Sequence, residues 1–129
     1  MTLNEYQDRA MTTCMESSDN FSYMFLNLIG EVGEFASKVA KAIRKEKCHI
    51  GGYNSENQLC RDEVSAEFER ALMLEAGDCA WCLVGLCKVM GWTFEEVCQA
   101  NLDKLQIRDA NHTIDGNGDG VTKEERACR

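Results

Sequence analysis

Residues 71–90, ALMLEAGDCAWCLVGLCKVM, carry only three charges in twenty positions: Glu75, Asp78 and Lys88. A run of that length and polarity is either a membrane span or a core helix. The two acids and the lysine, with no second segment to join it in a bilayer, favour the core helix of a soluble bundle. That helix must still account for its acids. Glu75 and Asp78 are three residues apart and project about 60° from each other on one face, with Leu72, Cys79 and Cys82 on the same side. A buried, unpaired carboxylate costs several kcal/mol. It must meet a cation, take up a proton or bind a metal.

The rest of the chain also reads as helix. Its 129 residues include no proline, the residue that punctuates loops and sheet edges. Helical spacing predicts a short helix over 3–16, with Leu3, Tyr6, Ala10 and Met11 roughly on one side. Ser17-Ser18-Asp19-Asn20 breaks it and can cap the next helix. That long helix is predicted over 21–47, its broad apolar face made by Phe25, Leu28, Ile29, Val32, Phe35, Ala36, Val39 and Ile43. Turn formers make 48–62 a linker, and a second long helix is predicted over 63–90. Gly91 is a stop signal, and Thr93-Phe94-Glu95-Glu96 is a capping box that opens a fourth helix to about Asn111. The expected organisation is one helical domain, 1–111, with a Gly- and Asp-rich tail, 112–129, after it.

Composition narrows the partners. The net charge of −8 argues against a general nucleic-acid binder, which needs a basic footprint. The first residues carry no apolar signal segment, so the expected setting is a reducing cytoplasm in which the eight cysteines stay free. Cys79, Cys82, Cys87 and Cys98 read as small core residues. Cys79-Ala-Trp-Cys82 has no second pair and lies mid-helix, so it does not read as a zinc site.

The helix over 21–47 carries a second acidic pair. Glu31 and Glu34 repeat the three-residue spacing at the edge of the apolar face, and Lys38 and Lys41 continue the stripe. Packed side by side, the two helices would present E-x-x-E and E-x-x-D, a cluster of like charge that divalent cations neutralise. All-oxygen ligands suit Mg²⁺ or Mn²⁺ rather than Zn²⁺. The alternative for each pair is a solvated face paired with nearby lysines. Gly30 and Gly33 lie opposite the main apolar face, and close approach of another helix, from a second subunit for example, would explain them. Charge is also segregated. Residues 38–47 hold five cations against Glu46, whereas 62–78 hold six acids against Arg70. In the fourth helix Asn101, Lys104 and Arg108 line one stripe suited to phosphate oxygens.

Glu31-x-x-Glu34, then Glu75-Ala-Gly-Asp78, then Asn101-Leu-Asp-Lys104-Leu105 with Arg108, resembles the MazG-type all-α nucleoside triphosphate pyrophosphohydrolases over roughly residues 3–111. The resemblance implies an all-α, four- to five-helix bundle completed by oligomerisation, as a homodimer or homotetramer. It implies Mg²⁺-dependent hydrolysis of an NTP or dNTP to the monophosphate and pyrophosphate. Glu31, Glu34, Glu75 and Asp78 match the family's metal ligands, and Asn101, Lys104 and Arg108 its substrate-contacting end. Lys38 is grouped with the substrate contacts and Glu34 is taken as the general base. The 48–62 insertion lengthens the interval from Glu34 to Glu75 beyond the family's usual one, which bears on substrate choice.

Other readings compete. Asp115-Gly-Asn117-Gly-Asp119-Gly120 matches the start of an EF-hand loop, but Arg126 stands where the bidentate Glu belongs. A di-iron bundle needs two E-x-x-H motifs, and only Glu46-Lys-Cys-His49 matches. A non-catalytic helical module that binds metal or nucleotide is the third.

Overall fold

The computed structural model describes residues 1–45 and 65–111. The 48–62 linker, the Glu46–His49 motif and the 112–129 tail with its EF-hand-like loop lie outside them. The described residues form four helices: α1 (Leu3–Met11), α2 (Phe21–Arg44), α3 (Ala66–Met90) and α4 (Phe94–Ala110). A 3₁₀ turn, Glu16–Ser18, precedes α2. No strand occurs among the described residues, and none of their helices is long and apolar enough to cross a membrane.

Each helix starts on a side chain that accepts an otherwise unpaired backbone N–H. Thr2 and Glu5 form a reciprocal capping box on α1, and Asn20 Oδ1 accepts from the Tyr23 N–H at 2.9 Å to begin α2. Ser65 Oγ accepts from Phe68 N–H at 3.2 Å, so α3 begins at Ala66 rather than at the predicted residue 63. The predicted box on α4 is present, with Glu96 N–H donating to Thr93 Oγ1 at 3.1 Å and Thr93 N–H donating to Glu96 Oε2 at 2.7 Å. Gly91 takes the left-handed conformation, φ 74°, and the Trp92 N–H reaches back to Cys87 O at 2.9 Å. Here α1 departs from expectation, ending at Met11 and not at residue 16. Thr12 and Thr13 turn their hydroxyls back onto Arg9 O and Ala10 O, both at 2.7 Å, and these local bonds compete with further helix.

The principal interface is α2 on α3, with α1 laid across α3 and α4. Facing pairs run Asn27 with Cys82 and Lys38 with Glu75, so α2 and α3 are antiparallel. Met24, Ala42, Leu72, Cys82, Val84 and Cys87 are the buried apolar residues. Gly85 is buried against Met24, and a Cβ there would sit only 2.7 Å from Met24 Cε. Glycine thus allows close contact at this crossing, a role that spacing along one helix does not reveal.

The broad apolar face expected on α2 is divided. The strip toward α3 is Met24, Leu28, Phe35, Val39 and Ala42, whereas Phe25, Ile29 and Val32 stand about half exposed, at 46%, 57% and 54%. Among the described residues, α3 is the helix that packs along α2, and it is narrower than the apolar face. Of the expected core cysteines, Cys82 and Cys87 are buried, while Cys79 and Cys98 are half-buried. Among the described residues, nothing lies within 4 Å of a Cβ added at Gly30 or Gly33.

Two polar clamps fix α1. Buried Gln7 donates through Nε2 to Trp92 O at 3.1 Å and accepts through Oε1 from Phe94 N–H at 2.6 Å. The indole N–H of Trp81 donates to Ala10 O at 3.1 Å and Thr13 Oγ1 at 2.9 Å. These bonds tie the N-terminal helix to the α3–α4 turn and to the middle of α3.

Candidate metal and nucleotide site

The two acidic pairs come from the facing strips of α2 and α3. Spacing of three residues keeps Glu31 and Glu34 on adjoining lines of α2. Antiparallel packing then brings Glu75 of α3 against them. One carboxylate oxygen from each of Glu31, Glu34 and Glu75 lies within 4.8 Å of the others. Glu31 and Glu75 are half-buried, and Glu34 is exposed. Asp78, one turn further along α3, is exposed and stands outside that set of three.

Electrostatics mark the same place. Burial pushes the Glu31 carboxyl above the usual carboxylate range, and the charges of Asp78 and Glu34 push it further. A hydrogen bond from Asn27 Nδ2 to Glu31 Oε1, 3.2 Å, opposes the rise, and Glu75 adds a smaller push. Asp78 therefore acts on Glu31 through its charge although it lies outside the set. Like charges held this close are costly unless a cation joins them. The donor set is all oxygen and spans two helices, so these residues fit a hard divalent ion.

One internal cation is already in contact. Lys38 Nζ lies 3.0 Å from Glu75 Oε1, an ion pair across the α2–α3 interface. The second branch of the Asn27 amide donates to Cys82 Sγ at 3.1 Å. Burial, more than any charge, raises the thiols of Cys79 and Cys82 above the usual cysteine value.

Tyr6 of α1 completes the rim. Burial raises its hydroxyl pKa first, and the neighbouring Asp78 charge raises it next. Tyr6 also lines a cavity of about 550 Å³ along α1, with Met1, Arg9, Ala10 and Thr12. Asn101, Lys104 and Arg108 lie on α4, the first exposed and the other two half-buried. The structure thus gathers Glu31, Glu34, Glu75 and Lys38, sets Asp78 beside them, and keeps the three α4 residues on the helix that packs on α1 and α3.

Asn27 and Tyr6 are neighbours of the cluster that the sequence motifs do not include. Asn27 is within reach of sequence reasoning, because it stands four residues before Glu31 on one helix face. Tyr6 is not, because its place depends on how α1 crosses α3.

Comparison with known proteins agrees with this geometry. The family model of the MazG nucleotide pyrophosphohydrolase domain matches residues 20–113, which include α2, α3 and α4 and leave α1 outside the match. The chain is similar to the Gene 37 protein of Mycobacterium phage L5, 35% identical over 104 residues that cover 81% of this chain and 79% of the phage protein. No solved structure matches. With the matched segment spanning the acidic helices and the stripe on α4, the chain belongs to the MazG nucleotide pyrophosphohydrolase domain family.

Proposed function

We propose that the protein hydrolyses nucleoside or deoxynucleoside triphosphates to the monophosphate and pyrophosphate, using Mg²⁺ or Mn²⁺. The observation that carries this reading is the convergence of Glu31, Glu34 and Glu75 oxygens within 4.8 Å, in a family whose members act on nucleotides. Glu31, Glu34, Glu75 and Asp78 would hold the metal. Bound there, divalent ions shield the phosphate charge and acidify a water for attack between the α- and β-phosphates.

The chain's own residues divide the remaining work. Glu34 is the exposed member of the three and is the group we assign to accept the water's proton. Glu31, drawn to Asn27, is fixed in direction by that bond. Lys104 and Arg108, with Asn101, would neutralise the outer phosphate oxygens from α4. We further propose that a second copy of the chain covers the half-exposed apolar residues of α2 in a dimer or tetramer, and that residues 1–111 form the catalytic domain in the cytoplasm.

The test is product identity. With a panel of NTPs and dNTPs and Mg²⁺, the expected products are monophosphate and pyrophosphate in equal amounts. Release of orthophosphate and diphosphate, or no turnover across the panel, contradicts the reading.

A further inference from the structure

Glu75 serves two roles on the same side chain. Its Oε1 is held by Lys38 Nζ at 3.0 Å, with the Glu75 side chain 12% exposed and that of Lys38 37% exposed. The same carboxylate belongs to the set it forms with Glu31 and Glu34. Lys38 stands four residues after Glu34 and seven after Glu31, so one stripe of α2 carries two acids and a cation toward α3. The cluster therefore has a monovalent counter-ion built into its own helix.

We propose that Lys38 is a tethered counter-ion that competes with the divalent ion for Glu75, moves off it when the ion binds, and thereby sets the protein's metal affinity. The inference rests on the metal-dependent reading above. Three physical points support it. Two cations on one carboxylate repel, whichever of its oxygens the second one takes. A divalent ion attracts the three carboxylates more strongly than one ammonium does. The lysine head sits on a flexible four-carbon stem and is exposed enough to swing into water, so its departure needs no change in helix packing. Such a lysine holds the acidic residues together before metal arrives, at the expense of affinity afterwards.

The experiment is Mn²⁺ titration by calorimetry on the full chain, with wild type, Lys38→Met, Lys38→Gln and Lys38→Arg compared. Removing the charge is expected to tighten Mn²⁺ binding roughly two- to tenfold. The Mn²⁺-induced rise in Tm should also be larger in both neutral variants, while Lys38→Arg binds no tighter than wild type. Unchanged or weaker Mn²⁺ binding in Lys38→Met and Lys38→Gln overturns the proposal. Should both unfold without metal, recovery of their helical circular dichroism with Mn²⁺ supports it, and failure to recover overturns it. Glu75→Gln separates the two levels of the account. If wild type binds Mn²⁺ and Glu75→Gln does not, yet Lys38→Met matches wild type, the counter-ion role alone falls. If wild type binds no Mn²⁺, the metal-dependent reading falls with it.

Discussion

The α1 clamp and the α2–α3 acidic cluster are both built from half-buried polar groups, but by opposite rules. At the clamp every donor meets an acceptor: Gln7 satisfies Trp92 O and Phe94 N–H, and Trp81 satisfies Ala10 O and Thr13 Oγ1. At the cluster three acceptors of the same charge meet within 4.8 Å, with Lys38 in contact with one of them. The first arrangement lowers the energy of the folded chain, while the second raises it unless another cation arrives. Polar groups that serve the fold are paired by the fold.

Substitutions on either side should separate the two arrangements. The largest expected effect is on turnover: Glu75→Gln or Asp78→Asn should lower pyrophosphate release by about a hundredfold or more, with helicity retained. Wild-type-like turnover in either variant removes that residue from the site. On the clamp side, Gln7→Leu takes the partner from the part-buried Trp92 carbonyl and Phe94 N–H, and urea unfolding should show a loss of about 1–2 kcal/mol. The folded fraction of that variant should keep its kcat. A Gln7→Leu protein of normal stability would show that water can replace the clamp.

The smaller effects concern single helices. Thr93→Ala removes the α4 cap and should cost about 1 kcal/mol in the same unfolding assay. Hydrogen bonds from the Thr93 backbone and side chain hold the Glu96 carboxyl below its usual value of 4.5. The stability this contributes is therefore present above that value and is lost as pH falls through the lowered one. Thr93→Ala and Glu96→Gln should both flatten that part of the acid unfolding profile, and an unchanged profile would detach Glu96 from the cap. The smallest effect is at Gly77, within the acidic turn of α3, where an added Cβ meets nothing within 4 Å among the described residues. Gly77→Ala should raise Tm, by up to about 1 kcal/mol of stability. A fall instead would show that the face of α3 at Gly77 is covered.

Much of this arrangement is legible in the sequence because it depends on spacing along one helix. Glu31 and Glu34 share a face by periodicity alone, and so do Thr93 with Glu96 and the stop at Gly91. The illegible part depends on how one helix meets another. Gln7 is polar, so no apolar pattern marks it as buried, and its partners lie 85 and 87 residues away. Gly85 reads as a helix weakness until Met24 is found against it. Asp78 shares a spacing with Glu75 and its charge acts on Glu31, yet it stands outside the set of three, a difference that spacing along one helix does not show. The division of the α2 apolar face is hidden for a related reason: hydrophobic spacing shows what is to be covered, not by which chain.

In the proposed reaction the carboxylates of α2 and α3 would hold a divalent ion against the triphosphate. The decisive measurement is pyrophosphate release from the best substrate of the panel as Mg²⁺ is titrated into chelator-treated protein. Release should be absent without the ion, saturate as it is added, and stay about a hundredfold or more below wild type at every concentration with Glu75→Gln. Turnover that persists in chelator, or that Glu75→Gln leaves intact, would contradict it.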